Sequence, residues 1–374
     1  MNYLQQYRLR VKTLSPVFIG SGASLTKKEY LFVPQSKEIR FVNQQQLFHL
    51  LESKKLTSAY EDFILGKQKD LYIWMTSQNL KQEEICSVQS YSIYAGDAMD
   101  TSSGFNLTGI QLFMKDAWNH PYIPGSSLKG AIRTAILAEL TSKRNYATRL
   151  WDYKKKLNNN SPEIFKCESK KVEAECLHLL KYHDNRGHEI SASNAVNSVM
   201  KGIQITDGKP LSSDCLTLCS KVDISTKGEP KSINTARECI RPGFISEHLL
   251  TLDTQILAEA NLNVPAIQNA IHRAYEIQDQ YFLSRFPKIQ GMDTTPSNGF
   301  ELFLGGGAGF ASKTILYSML KGDSLSLMAG LMKHQFPQHY HDQDVERGVS
   351  PHMLKCTRYD GKFYLMGRCE IEIL

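Results

Sequence analysis

The first ordered stretch of the chain alternates hydrophobic and basic residues. From position 7 to 12 the order is Tyr-Arg-Leu-Arg-Val-Lys. A period of two predicts a half-buried strand with a basic outer face. Downstream patterns predict a hairpin near 30–33 and 39–42, followed by helices at 44–52 and 56–66.

The same reasoning divides the rest of the chain into short strands and amphipathic helices. Helices are predicted at 128–141, on both sides of the breaker at 158–162, at 265–283 and from about 311. Strands are predicted at 107–114, 202–206, 216–224, 236–252 and 300–304. A hairpin of 353–358 and 363–373 closes the chain around an Asp-Gly turn, a strong hairpin signal.

Each half of the sequence therefore mixes strands with helices, and each contains a Gly/Ser loop that opens a helix. This pattern predicts an α+β protein of two ferredoxin-like (RRM-like) domains with helical insertions. We place the N-terminal domain at 1–184, with a basic helical insertion. A linker is expected at 185–200, where apolar residues are few, and the C-terminal domain at 201–374.

Composition narrows the class of protein. The 374 residues are 41% hydrophobic and 22% charged, which excludes a disordered chain. No apolar run is long enough for a membrane helix, and the N-terminus has no signal-peptide core, so we expect a cytoplasmic protein without a membrane partner. The 8 cysteines form no CxxC pair, so reduced thiols are expected.

Charge is concentrated in one segment. The net charge is only +6, but residues 143–171 hold nine Lys or Arg against three acids. A local basic surface of this kind attracts phosphate backbones. A solvated helical face has the same composition, so both interpretations stay open.

The segment 123–133 is the most informative motif. It contains Gly125, Ser126, Ser127, Lys129 and Arg133 at the start of a predicted helix. Helix N-termini bind anions through free N–H groups, and residues four apart share a helical face. These residues are therefore a candidate phosphate clamp, against the simpler interpretation of an ordinary capped helix.

A glycine-rich loop follows the predicted strand at 300–304. Its candidate RNA-binding residues are Gly305, Gly306, Gly307, Gly309 and Lys313. A nucleotide P-loop has glycine directly before the lysine, and this sequence has serine there. A backbone cradle for RNA and a purely structural turn are the two interpretations, with a nucleotide-dependent switch as a weaker third.

A weaker loop signal lies after the first strand, at Gly20, Gly22, Lys27 and Lys28. It is a candidate contact for a nucleic-acid backbone, although turns of this composition are common.

Two groups that contain histidines are candidates for metal binding. His334, His339 and His341 lie near Asp342 and Asp344, but their spacing is not that of a helical metal site, and no metal or cofactor is predicted. A looser group, Cys176, His178 and His183, fits an amphipathic helix better.

No catalytic residues are predicted, because no nucleophile motif is assembled. His49 is the one candidate general acid or base for a metal-independent ribonuclease. A packed or half-exposed helix histidine is the simpler interpretation.

Four stretches together resemble the RAMP superfamily of CRISPR-associated RNA-binding proteins. They are 15–22, 122–133, 304–314 and 355–362, of which PGSSLKGAIR is the most specific. Motif order and length are most similar to the subunit that caps the crRNA 3′ end of the type III-A (Csm) interference complex.

The resemblance implies two RRM-like domains and a non-catalytic role in crRNA maturation and complex assembly. The implied partners are crRNA, target RNA, the other Csm subunits (especially the repeated backbone subunit) and host trimming nucleases. In that backbone subunit an aspartate near the N-terminal glycines cleaves target RNA. Residues 21–28 hold no aspartate here, so cleavage is not expected. A guide-processing endoribonuclease and the cap at the crRNA 5′ end are the alternatives.

Overall fold

The computed structural model of the chain describes residues 3–33, 35–99, 109–158 and 163–374. Its strands are β1 (Leu4–Thr13), β2 (Gly20–Leu25), β3 (Tyr30–Val33), β4 (Glu38–Val42), β5 (Gln89–Tyr94), β6 (Ile110–Phe113), β7 (Ile203–Ile205), β8 (Leu216–Ser225), β9 (Pro230–Ile240), β10 (Ile245–Asp253), β11 (Phe300–Phe303), β12 (Met353–Tyr359), β13 (Lys362–Leu365) and β14 (Arg368–Ile373). Its α-helices are α1 (Gln44–Ser53), α2 (Thr57–Leu65), α3 (Leu71–Ser77), α4 (Gln82–Ser87), α5 (Gly125–Ser142), α6 (Ala147–Asn158), α7 (Glu163–Leu177), α8 (Thr254–Ala258), α9 (Val264–Tyr281), α10 (Leu316–Leu320), α11 (Ser324–Gln335) and α12 (Asp344–Arg347).

The α+β class is confirmed, and most predicted elements are present. The strand β1, the hairpin β3–β4 and the helices α1, α2, α5 and α9 all follow the predicted pattern. The basic segment is helical on both sides of its breaker. The part of the predicted strand at 107–108, like the breaker residues 159–162, lies outside the described residues.

Three predicted boundaries are wrong for local reasons. The stretch 236–252 is two strands, because Pro242 and Gly243 (φ +91°) form a turn. The last strand divides at Gly367 (φ +83°), so that β13 stays in the hairpin while β14 joins another sheet. The helix expected from 311 is a single 3₁₀ turn, Ala311–Lys313, before α10.

The five-stranded sheet has the order β11-β14-β1-β10-β7, with antiparallel pairing throughout. The elements β1, α5, β7, β10, α9 and β14 follow one another as β-α-β-β-α-β, the ferredoxin-like succession. Buried residues on α5 recur at Leu128, Ile132 and Ile136, which places one helical face in the core. This arrangement uses strands from both halves of the chain.

A six-stranded sheet lies beside it, in the order β13-β12-β8-β9-β6-β2, and β6 pairs parallel to β9. Strands from both halves of the chain again share one sheet. The predicted division at 185–200 therefore does not separate the sheets, and its last residues, Val199 and Met200, are buried in the core.

Residues 26–95 contain a third sheet, β3-β4-β5, packed with α1 to α4 around its own hydrophobic cluster. We call this part the insertion module. Aromatic contacts such as Phe63 against Trp74, with ring centroids 5.1 Å apart, belong to that cluster.

A buried carboxylate joins the insertion module to the six-stranded sheet. Glu238 on β9 is fully buried and accepts hydrogen bonds from Lys115 Nζ (2.6 Å), the Tyr91 hydroxyl (2.7 Å) and the Phe113 amide (2.9 Å). Tyr91 lies on β5 of the module, and Phe113 ends β6. Desolvation lowers the pKa of Lys115, although the carboxylate opposes that shift.

Replacing Glu238 with glutamine would leave the Lys115 ammonium buried without its counter-charge. We expect Glu238→Gln to lower the free energy of unfolding by about 3–5 kcal/mol, measured by urea denaturation. The control is Glu247→Gln, which breaks the solvent-exposed pair with Lys209 and should cost less than about 1 kcal/mol. Similar losses in both variants would contradict this account.

Candidate nucleic-acid interface

The glycine-rich loop and the N-terminal turn, predicted as separate motifs, meet in the structure. The Gly306 amide donates to the Phe18 carbonyl at 2.6 Å. Gly305 has φ +78°, and a Cβ there would overlap that carbonyl oxygen. A Cβ on Gly20 would lie 2.9 Å from the Phe18 ring. The predicted residues Gly20, Gly305 and Gly306 are therefore brought together around Phe18.

Two cations from different strands lie beneath this loop. Arg237 on β9 contacts Gly307, where an added Cβ would lie 2.6 Å from Nη1, and its guanidinium lies 5.3 Å from the Phe18 ring centroid. Lys355 on β12 packs beside Gly309 and donates to Asp223 at 2.6 Å. Sequence reasoning missed this cluster, because only strand pairing makes these residues neighbours.

Lys221 on β8 is the third member of the cluster. Burial lowers the pKa of Lys221, and the positive charges of Lys355 and Arg237 lower it further. The Asp223 carboxylate raises it. Three cations therefore face one carboxylate, which leaves an excess of positive charge beside the glycine loop. We call Lys221, Arg237 and Lys355 the β-face cations.

The far end of the loop borders a cavity of about 720 Å³ that α5 also lines. Phe310 and Lys313 contribute from the loop and Arg133 from α5, so two predicted cations share this cavity. Phe310 is 39% exposed. Lys313 is exposed, and its side chain makes no hydrogen bond or ion pair within the described residues, so its charge is available to an anion.

The protein itself supplies a hydrogen-bond acceptor to the N-terminus of α5. The Gly125 amide donates to Asp207 Oδ1 at 2.8 Å, and a Cβ on Gly125 would overlap the Ile205 carbonyl. Gly125 is thus needed for packing against β7, and the helix terminus already holds a carboxylate. Ser126 is exposed and Ser127 is half-buried.

Lys129 remains the strongest anion-binding candidate on α5. Its ammonium has no partner among the described residues, and burial lowers its pKa. Arg133, one turn later, pairs with Glu173 of α7 at 2.7 Å. The predicted clamp therefore offers one unpaired and one paired cation.

Pairing also occupies much of the basic segment. Arg149 bonds to Glu175 at 2.5 Å, Lys143 to Glu139 at 2.7 Å and Lys171 to Glu168 at 2.8 Å. These pairs favour the interpretation of a solvated helical face for the part of the segment that they cover.

The loop after the first strand has Lys28 bonded within the protein, whereas its composition indicated a lysine available to a nucleic-acid backbone. Lys28 Nζ donates to the carbonyls of Phe63, Ile64 and Gly66, so it caps the C-terminus of α2. Gly22 has φ +88° at an irregular point of β2.

The basic outer face of β1 is balanced by its neighbours. Arg10 pairs with Glu372 at 2.9 Å, and across the sheet it also lies opposite Glu247. Lys12 lies opposite Glu370. The isolated strand pattern indicated a free cationic stripe, but Arg10 and Lys12 lie beside acidic side chains of the neighbouring strands.

Two of the weaker functional hypotheses lose support from this geometry. The glycine loop leads into one 3₁₀ turn rather than the helix that a P-loop opens, and its Gly306 amide is bonded to Phe18. His49 is exposed, with Nδ1 3.9 Å from Glu52.

No helix that the structure describes is long and apolar enough to cross a membrane.

The chain belongs to the RAMP superfamily, whose model matches residues 10–292. It is also similar along its length to proteins called CRISPR system Cms protein Csm5. The protein of that name from Mycobacterium tuberculosis is 27% identical over 99% of this chain and 98% of its own length. That from Streptococcus thermophilus is 27% identical over 84% of this chain and 81% of its own.

Two solved structures share the fold. One is a chain of a Csm-crRNA-target RNA ternary complex of a type III-A CRISPR-Cas system, with a TM-score of 0.66 and 20% identity over 98% of this chain and 100% of that one. The other is T. onnurineus Csm5, with a TM-score of 0.59 and 18% identity over 96% and 99% of the two chains.

Gly305 provides a test of the loop geometry. Because Gly305→Ala adds a Cβ against the Phe18 carbonyl at a positive φ, it should lower the free energy of unfolding by about 1–3 kcal/mol. Gly322→Ala is the matched control, since a Cβ there meets nothing within 4 Å. Denaturant unfolding measures both, and an unchanged midpoint for Gly305→Ala would contradict the described contact.

Proposed function

We propose that this chain is a non-catalytic, RNA-binding subunit of a type III-A Csm effector complex. The observation that carries the proposal is the meeting of the glycine loop with the N-terminal turn above the β-face cations. The loop therefore packs against Arg237 and Lys355, and it carries the exposed ring of Phe310. Such a combination suits a single-stranded RNA backbone with little base readout.

The similarity to Csm5 proteins, which covers 99% of this chain for one relative and 84% for another, supports the assignment to that complex. Within it, the chain caps the backbone filament near the crRNA 3′ end and contributes to crRNA maturation and assembly. Its partners are then crRNA, target RNA, the other Csm subunits and the nucleases that trim the guide, all in the cytoplasm.

A non-catalytic role fits the side chains around the N-terminal glycines. Glu29 is the acid nearest to them in the following loop, and its carboxylate accepts hydrogen bonds from the Thr26 amide (2.8 Å) and hydroxyl (2.9 Å). It therefore has a local structural task, and no aspartate stands in residues 21–28.

Lys313 allows a clean test of RNA contact, because it is exposed and has no partner to lose. We expect Lys313→Ala to weaken binding of a single-stranded crRNA and to reduce the slope of log affinity against log salt by about 1. Lys69→Ala, at an exposed lysine of the insertion module, is the control. Equal affinity and slope in all three proteins would exclude Lys313 from the interface.

The assembly role is tested by gentle affinity purification of the tagged chain from its native cells. We expect spacer-derived guides and the other Csm subunits in the eluate, and longer guides in cells that lack the protein. Recovery of neither guides nor Csm subunits would overturn the proposed function. Cleavage of repeat RNA by the isolated chain, abolished in His49→Ala, would favour the processing enzyme instead.

A further inference from the structure

A buried cluster of two histidines and an aspartate shares no residue with the glycine loop. The segment 336–352 leaves α11, makes two 3₁₀ turns and the short α12, and returns to β12. His341 and Asp344 lie in its turns, and His352 directly precedes β12. The Asp344 side chain is fully buried, while those of His341 and His352 are 8% and 14% exposed.

The donor atoms of the three side chains face one another. His341 Nδ1 lies 2.8 Å from Asp344 Oδ2, and His352 Nδ1 lies 2.6 Å from Oδ1. One ligand atom from each residue lies within 4.8 Å of the other two. Ligand atoms about 2.0–2.2 Å from a common zinc ion are separated by similar distances, so small side-chain shifts would place all three around one ion.

The chemistry of the set is that of transition-metal ligands. Two imidazoles and one carboxylate suit zinc or ferrous iron, whereas magnesium and calcium prefer oxygen ligands. Within the described residues neither ring uses Nε2 in a hydrogen bond, so each Nε2 can carry the ring proton while Nδ1 coordinates.

Two neighbours of Asp344 have opposite effects on the binding of a cation. The Ser350 hydroxyl donates to Oδ2 at 2.7 Å, an outer contact that orients the carboxylate. Arg347 lies 3.4 Å from Oδ1, and its charge opposes a cation. Its guanidinium also donates a hydrogen bond to Gln343 Oε1 at 2.7 Å.

We propose that His341, Asp344 and His352 bind one divalent transition-metal ion of the zinc class. The ion fastens the segment 336–352 to the start of β12. The inference is independent of the RNA-binding role, because the ligand set is separate from the glycine loop and the β-face cations. The alternative is a metal-free network in which both Nδ1–H groups donate to Asp344.

The test uses the full-length chain without an affinity tag, stripped with a chelator and shown to be folded by circular dichroism. After Zn²⁺ is added back and the excess is removed, we expect one equivalent of Zn²⁺ by elemental analysis and a higher melting temperature. Adding Co²⁺ to the stripped chain should give visible absorption bands. A folded wild-type chain with no bound ion, no thermal shift in excess Zn²⁺ and no Co²⁺ bands would overturn the proposal.

Single variants locate the ion. His341→Asn and His352→Asn should each weaken Zn²⁺ binding by more than about a hundredfold, the upper range for loss of an outer-shell partner. His272→Asn is the matched control, since His272 forms a surface pair with Glu276 at 3.2 Å, and it should keep one equivalent. Because the Co²⁺ spectrum is recorded on the wild-type chain, the test does not depend on the variants folding. Binding that survives both cluster variants would place the ion elsewhere and contradict the assignment.

Discussion

The buried Glu238 carboxylate fixes the register on which the proposed RNA surface depends. It accepts hydrogen bonds from Lys115, the Tyr91 hydroxyl and the Phe113 amide. These bonds connect β9 to β5 and to the end of β6. Successive residues of a strand point to opposite faces. Holding Glu238 inside therefore places its neighbour Arg237 on the other face, beneath Gly307. A slip of one residue would exchange the two side chains and bury the guanidinium.

A cationic side chain attracts an anionic ligand most strongly where no carboxylate of the protein already neutralises its charge. The sequence is most basic at β1 and at 143–171, yet acids from adjacent strands and from α7 balance much of both regions. The β-face cations share one aspartate, and Lys129 and Lys313 are unpaired within the described residues. The electrostatic surface therefore follows strand pairing rather than the local density of Lys and Arg.

Local sequence patterns were sufficient for most individual elements. The alternation at 7–12 predicts β1, and the apolar spacing on α5 and α9 predicts two helices that the structure contains. These patterns describe contacts within one strand or one helix. They do not specify which strands pair, so the sharing of both large sheets by the two halves was not predictable in this way.

The same limit applies to side chains at the candidate sites. The meeting of Phe18 with Gly306 and the proximity of Lys221 to Arg237 and Lys355 depend on long-range pairing. The sequence around Lys28 is typical of an exposed loop lysine, but Lys28 donates hydrogen bonds to the carbonyls that end α2. Its structural role becomes visible only when the insertion module has folded.

Photo-crosslinking of the assembled complex tests the central claim most directly. A guide carrying 4-thiouridine near its 3′ end, followed by mass spectrometry of the crosslinked peptides, reports which surface of this chain the RNA contacts. The account predicts crosslinks in 305–313 and beside the β-face cations. Crosslinks confined to the outer face of β1, with none at the glycine loop, would contradict it.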